Sequence, residues 1–380
     1  MNHPYPMAGH SFFPKKSGIL LAMALSVLSH TVDANGGSYE IWVANQGLDK
    51  IQIIDGASLK VTGEIDVDAD GKAASSKPHM IQFSPDFKYA YVANVGAAPK
   101  TNNIVVIRTA DRKIVATIPS GPVTHAVTPS PDGKRAFATS VGSDTVLEIL
   151  TDTAKEKFKP GREIPVGDGP GGMKDRPICV AFSSDSRKAY VSNGGDPAAV
   201  DPMSTGAVAI LDVETGKQIR QYSNIGQEAC GLALSRDGAR MYINIGGYVN
   251  VYAVIDTRTD NVIRQGNAAG TDSHGMRITP DGRELWLANR MSNSLTIVDT
   301  ATDRPVSRIS EAGDRPDLID FSPDGAKAFL TLRGQAVTKT IHDVSGKEPG
   351  LLVVDVKDRK RTAHVPLEGD PHGLAVLPRP

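Results

Sequence analysis

Cysteine is nearly absent. Cys179 and Cys230 are the only two in 380 residues, so no disulfide framework supports the fold. Net charge is almost absent as well: 42 basic side chains oppose 43 acidic ones, for a formal charge of −1. That balance removes the electrostatic case for nucleic acid or for an anionic membrane surface as a partner. No Gly-x-Ser-x-Gly elbow and no Cys-x-x-Cys-His haem attachment occurs. Gly169-Pro170-Gly171-Gly172 is glycine-rich but does not lead from a strand into a helix, so no phosphate loop and no nucleotide cofactor is expected. Beyond the N-terminus no apolar run is long enough to span a bilayer.

What is present begins with a processing segment. Lys15 and Lys16 precede an apolar run over residues 19–28, and Val32-Asp33-Ala34 offers small or apolar residues for cleavage. Residues 1–34 read as a secretory signal peptide, leaving 35–380 as one domain with no membrane span. Export predicts a periplasmic or secreted protein in an oxidising compartment.

The mature chain repeats itself. Residues 273–310 hold four short runs of alternating or β-branched character, separated by Thr279-Pro280-Asp281-Gly282 and by a second hairpin over 299–303. This unit overlays the rest of the chain seven times, most legibly in its second strand, as in Ala90-Tyr91-Val92-Ala93-Asn94 and Ala189-Tyr190-Val191-Ser192-Asn193. The first copy lacks an inner strand, and a matching one, residues 371–377, closes the sequence. The prediction is an all-β, seven-bladed β-propeller of four-stranded antiparallel blades, with the C-terminal strand completing the first blade.

With their SPDG-type turns and Tyr-Val-x-Asn strands, the repeats resemble the YVTN family of bacterial propellers. The resemblance covers nearly all of the mature chain and implies the fold. The family includes enzyme subunits and partners of redox enzymes, so it does not by itself assign an activity.

One column of the aligned repeats is unusual. The first residues of the innermost strands are His79, His125, Ile178, Cys230, His274, Asp317 and His372. In a propeller these face one another around the axis, and four of the six histidines after residue 34 fall there. Imidazole, thiolate and carboxylate are transition-metal ligands, so His79, His125, Cys230, His274, Asp317 and His372 are candidate ligands for copper or zinc. The arrangement is similar to that of nitrous oxide reductases, whose channel-mouth histidines hold a copper cluster. This chain has fewer histidines and no cupredoxin domain, so the likeness implies metal and not that reaction. Arg176, Arg290, Arg315 and Arg333 collect on the same side and would fix a small anionic ligand. Long loops, including residues 95–102, 194–205 and 333–349, also open there, while the turn face reads as structural.

Three functions follow from this reading. The first is metal handling or a redox process at a solvated channel mouth. The second is a docking platform for a periplasmic redox protein, and the third a lactonase-like hydrolase.

Overall fold

The computed structural model describes residues 37–379 apart from 69–70, 72–74, 97–99, 168–174, 196–205, 224, 247–250 and 338–343. The expected signal peptide lies outside the described residues, as do parts of the long loops.

Seven four-stranded antiparallel sheets surround one axis. Their second strands, such as Tyr89–Val95 and Glu284–Asn289, are buried almost throughout because neighbouring blades cover both faces. That explains their continuous apolar character. Outer strands such as Asn261–Asn267 alternate between exposed and half-buried positions. The only helix among the described residues is a 3₁₀ turn, Thr153–Lys155.

The turn joining first and second strands is built the same way six times. Ser84, Ser130, Ser183, Ser235, Thr279 and Ser322 each donate a hydroxyl to the aspartate two residues on, at 2.5 to 2.6 Å. Each hydroxyl also accepts the backbone N–H five residues on. The serines are therefore occupied with turn geometry, as the sequence reading expected.

Seven apolar clusters fill the spaces between adjacent blades. Trp42 meets Phe83 of the next blade edge-on, with ring centroids 5.4 Å apart. Trp286 meets Phe321 in the same way at 5.6 Å, so both indoles are packing groups.

Side chains in some turns between second and third strands fix the next blade. Asp49, Asp144 and Asn293, all at positive φ, accept the backbone N–H of Lys77, Arg176 and Arg315 at 2.6, 3.0 and 3.0 Å. Those three residues also hold positive φ immediately before inner strands. A left-handed non-glycine residue costs on the order of 1 kcal/mol, and the side-chain acceptor offsets it.

Every inner strand departs from regular pairing at the column. Pro78 pairs with Asn94 and Met80 with Ala93, which leaves His79 as the extra residue of a bulge. Equivalent register shifts fall around His125, Ile178, Cys230, His274, Asp317 and His372. A bulge re-aims the side chain it contains, and here it places the column together at the axis.

The ring closes as expected. Pro371–Pro378 pairs antiparallel with Tyr39–Asn45, Ile41 opposite Val376. Leu374 and Val376 enter the cluster shared with Phe329, Leu351 and Val353 of the last blade. Arg333 adds a bidentate pair to Asp370, Nε to Oδ1 at 2.8 Å and Nη2 to Oδ2 at 2.7 Å. Ending the chain after Glu368 should remove all of these. Burial of each lost aliphatic side chain contributes roughly 1.5–3 kcal/mol before any hydrogen bond is counted. The truncated protein is expected to aggregate or to melt without cooperativity. A monomer melting within a few degrees of the full chain would contradict this closure.

Candidate metal centre

The column is buried. His79, His125, Cys230 and His274 are 2 to 4% exposed, and Ile178, Asp317 and His372 are at 0%. A solvated mouth was expected, but the bulges turn the side chains inward, where they are buried. A cavity of about 470 Å³ runs from His125, Cys230 and His274 past Gln82, Thr128 and Asp320 to Pro131, Arg236 and Pro280 of the short turns. The turn face is thus the approach to the channel, and the reading of it as merely structural is corrected.

Close packing of the inner strands explains two glycines. A Cβ on Gly275 would overlap the Asp317 carbonyl, and one on Gly373 the His79 carbonyl. Elsewhere a polar second-strand residue joins neighbouring bulges. Thr139 donates to the Ile178 carbonyl at 2.7 Å and Thr331 to the His372 carbonyl at 2.6 Å. Ser192 and Asn244 bond in the same way to the carbonyls of Cys230 and His274.

The column divides into three groups. His79 and His125 share a hydrogen bond, Nε2 to Nε2 at 2.9 Å, and His79 Nδ1 bonds to Gln46. Cys230 lies against Cys179, and both are free thiols rather than a disulfide. His274, Asp317 and His372 form the third group, each offering one ligand atom within 4.8 Å of the others. His274 Nδ1 is 2.6 Å from Asp317 Oδ1, and His372 Nε2 is 3.3 Å from Asp317 Oδ2.

The protonation of His372 is constrained by its other nitrogen. Nδ1 lies 3.0 Å from the His79 carbonyl oxygen, which only accepts, so Nδ1 carries the proton. In the neutral ring Nε2 is then a lone pair directed at a carboxylate. His372 Nε2 has no hydrogen-bond partner among the described residues. Burial pushes the His372 imidazole well below its usual value. It also lowers His274, with the nearby Arg290 charge acting in the same direction. For Asp317, burial opposes ionisation, but His372, His274 and Arg333 outweigh it and hold the carboxyl well below the usual range. Arg333 is the only one of the three that carries its charge at every pH.

Two of the four arginines, Arg290 and Arg333, are buried, and Arg176 and Arg315 are half-buried. Arg290, 2% exposed, pairs with Asp272, Nε to Oδ2 at 2.8 Å, and lies 3.8 Å from Asp317 Oδ1. Arg333, 1% exposed, reaches Asp317 Oδ2 at 3.2 Å besides Asp370. Arg315 and Arg176 serve the backbone latch and direct guanidinium groups at carbonyls, Arg290 O at 3.4 Å and Gly195 O at 3.3 Å. Three carboxylates, Asp272, Asp317 and Asp370, therefore face two guanidinium groups, leaving one negative charge beside neutral imidazoles. Burial lifts the nearby Glu228 carboxyl to about 7, so it is only partly ionised at neutral pH.

Sequence reasoning missed Asp272 and Asp370. The signal was there in a repeated Asp-x-His-Gly, Asp272-Ser273-His274-Gly275 and Asp370-Pro371-His372-Gly373. Cys179, one residue beyond the column, was read as a possible disulfide partner of Cys230, but both thiols are free.

Comparison with known proteins gives the fold. No family model matches the chain, and no curated protein matches it. Among solved structures it is similar to Kuenenia stuttgartiensis hydrazine synthase, at 18% identity and a TM-score of 0.62, over 77% of this chain and 88% of that one. It is also similar to the dihydro-heme d1 dehydrogenase NirN in complex with DHE, at 16% identity and a TM-score of 0.57. That match spans 88% of this chain and 74% of the other, and with the first it supports the seven-bladed propeller.

Proposed function

We propose that this chain is an exported bacterial propeller of the YVTN type that holds one transition-metal ion, copper or zinc, in metal handling or a redox process. The ligands are His274, Asp317 and His372. The observation that carries this reading is the His372 ring, whose Nδ1–H is committed to a carbonyl while its Nε2 lone pair faces a buried carboxylate. A bound cation resolves that opposition, and the carbonyl fixes the ring as an outer partner does in other metal sites. The surplus negative charge is of the sign a cation requires. Two imidazoles and a carboxylate suit zinc or copper, with a further position for water or substrate. A periplasmic redox protein would be the partner in a redox role.

Elemental analysis of protein purified without a nickel column is expected to give one equivalent of copper or zinc per chain. Replacing both His274 and His372 by Ala should lower the metal content by one equivalent, while His364→Ala in the outer strand Lys360–Pro366 should change nothing. Equal metal content in the parent and the double variant would end this reading. Asp317→Asn is a poorer probe, since it also disturbs the buried contacts to Arg333 and Arg290.

The metal-free chain should also depend on pH in a defined direction. Unfolded histidine titrates near ~6.5, and the folded values of His274 and His372 are lowered. Below that pH the unfolded chain binds more protons, so stability falls as pH drops toward the folded values. Asp317 adds a second loss at lower pH, as its own depressed value is approached. Denaturant midpoints between pH 7 and 5 should therefore fall, and fall less steeply in the His274→Ala/His372→Ala variant. A pH-independent midpoint in the parent would contradict the buried neutral assignment.

A further inference from the structure

Cys179 and Cys230 belong to neighbouring blades, in the inner strands Pro177–Phe182 and Glu228–Leu234. A single hydroxyl ties their backbones together. Ser192 Oγ accepts the Cys179 N–H at 3.2 Å and donates to the Cys230 carbonyl. The two side chains interact with each other, and Cys179 also interacts with the His125 side chain. Both cysteines and His125 line the central cavity, whose wall there includes Met80 and Met276. Two thiols from adjacent blades make a soft donor pair at the cavity.

We propose that Cys179 and Cys230 form a second site, separate from the His274–Asp317–His372 triad, that binds one monovalent copper ion between their sulfur atoms. Thiolate and thioether donors select Cu(I), whereas structural zinc takes four ligands and finds only two thiols here. On binding, each thiol releases its proton to the buffer and forms one S–Cu bond. Copper stays monovalent throughout, so no oxidant or reductant is consumed. The complex carries one negative charge, and the Arg290 guanidinium lies close enough to Cys230 to interact with it. Copper would enter through the cavity from the short-turn face, past Arg236 and Pro280. None of this requires the triad to be occupied.

The test uses the full chain, reduced and handled without oxygen, titrated with Cu(I) against a bicinchoninate competitor. The expected result is one tightly held equivalent with a thiolate-to-copper band in the ultraviolet. Cys179→Ser and Cys230→Ser should each lose that equivalent, while His274→Ala/His372→Ala keeps it. Uptake that survives both cysteine substitutions, or none by the parent, would overturn the site. Because a serine in place of buried Cys230 could unfold the chain, a second measurement uses the unaltered protein. Bound Cu(I) should slow alkylation of both thiols by N-ethylmaleimide roughly tenfold or more. Alkylation at the same rate with and without Cu(I) would also overturn it.

Discussion

The molecule depends on a bulge repeated in each of its seven inner strands. A regular strand would send alternate side chains to the two faces of its blade, into the apolar clusters between neighbours. The extra residue at His79, His125, Ile178, Cys230, His274, Asp317 and His372 is released from the ladder and aimed at the axis. Rigidity comes from the surroundings: buried second strands, inter-blade aromatic pairs, and latches such as Asp49 on Lys77. Polar groups can therefore converge without the cost of ordering a flexible loop.

Burial then decides what those groups do. Asp317 is fully buried and would be strongly disfavoured alone; Arg333 and, at longer range, Arg290 keep it charged. Each arginine has its own aspartate, Asp370 and Asp272, so the network is satisfied on the protein side and carries one negative charge in excess. The same Arg333–Asp370 pair sits at the seam where the last blade meets the first. Site and ring closure consequently share a residue, which separates structural from ligand roles: the histidines can be replaced without opening the seam, and Arg333 cannot.

Much of this was legible in the sequence. The repeat, the seven blades and the closing strand 371–377 follow from period-two patterning and SPDG-type turns, which are local properties. The column was visible because histidine recurs at one repeat position. Its burial was not, because a bulge is invisible to alternation and the orientation of the axis side chains depends on all seven blades. Arg290 and Arg333 read as surface cations for the same reason; their aspartate partners come from before an inner strand and, for Arg333, from 37 residues away across the seam. The approach to the channel was assigned to the loop-rich side on loop length, whereas the cavity lies toward the compact turns at Pro131 and Pro280.

The most direct measurement is anomalous diffraction from crystals of the full chain at the copper and zinc absorption edges. The account predicts a strong peak bounded by His274 Nδ1, the Asp317 carboxylate and His372 Nε2, with His372 Nδ1 still bonded to the His79 carbonyl, distinct from any copper at Cys179 and Cys230. Ordered density for the three side chains with no anomalous peak between them, after growth with either metal, would contradict it.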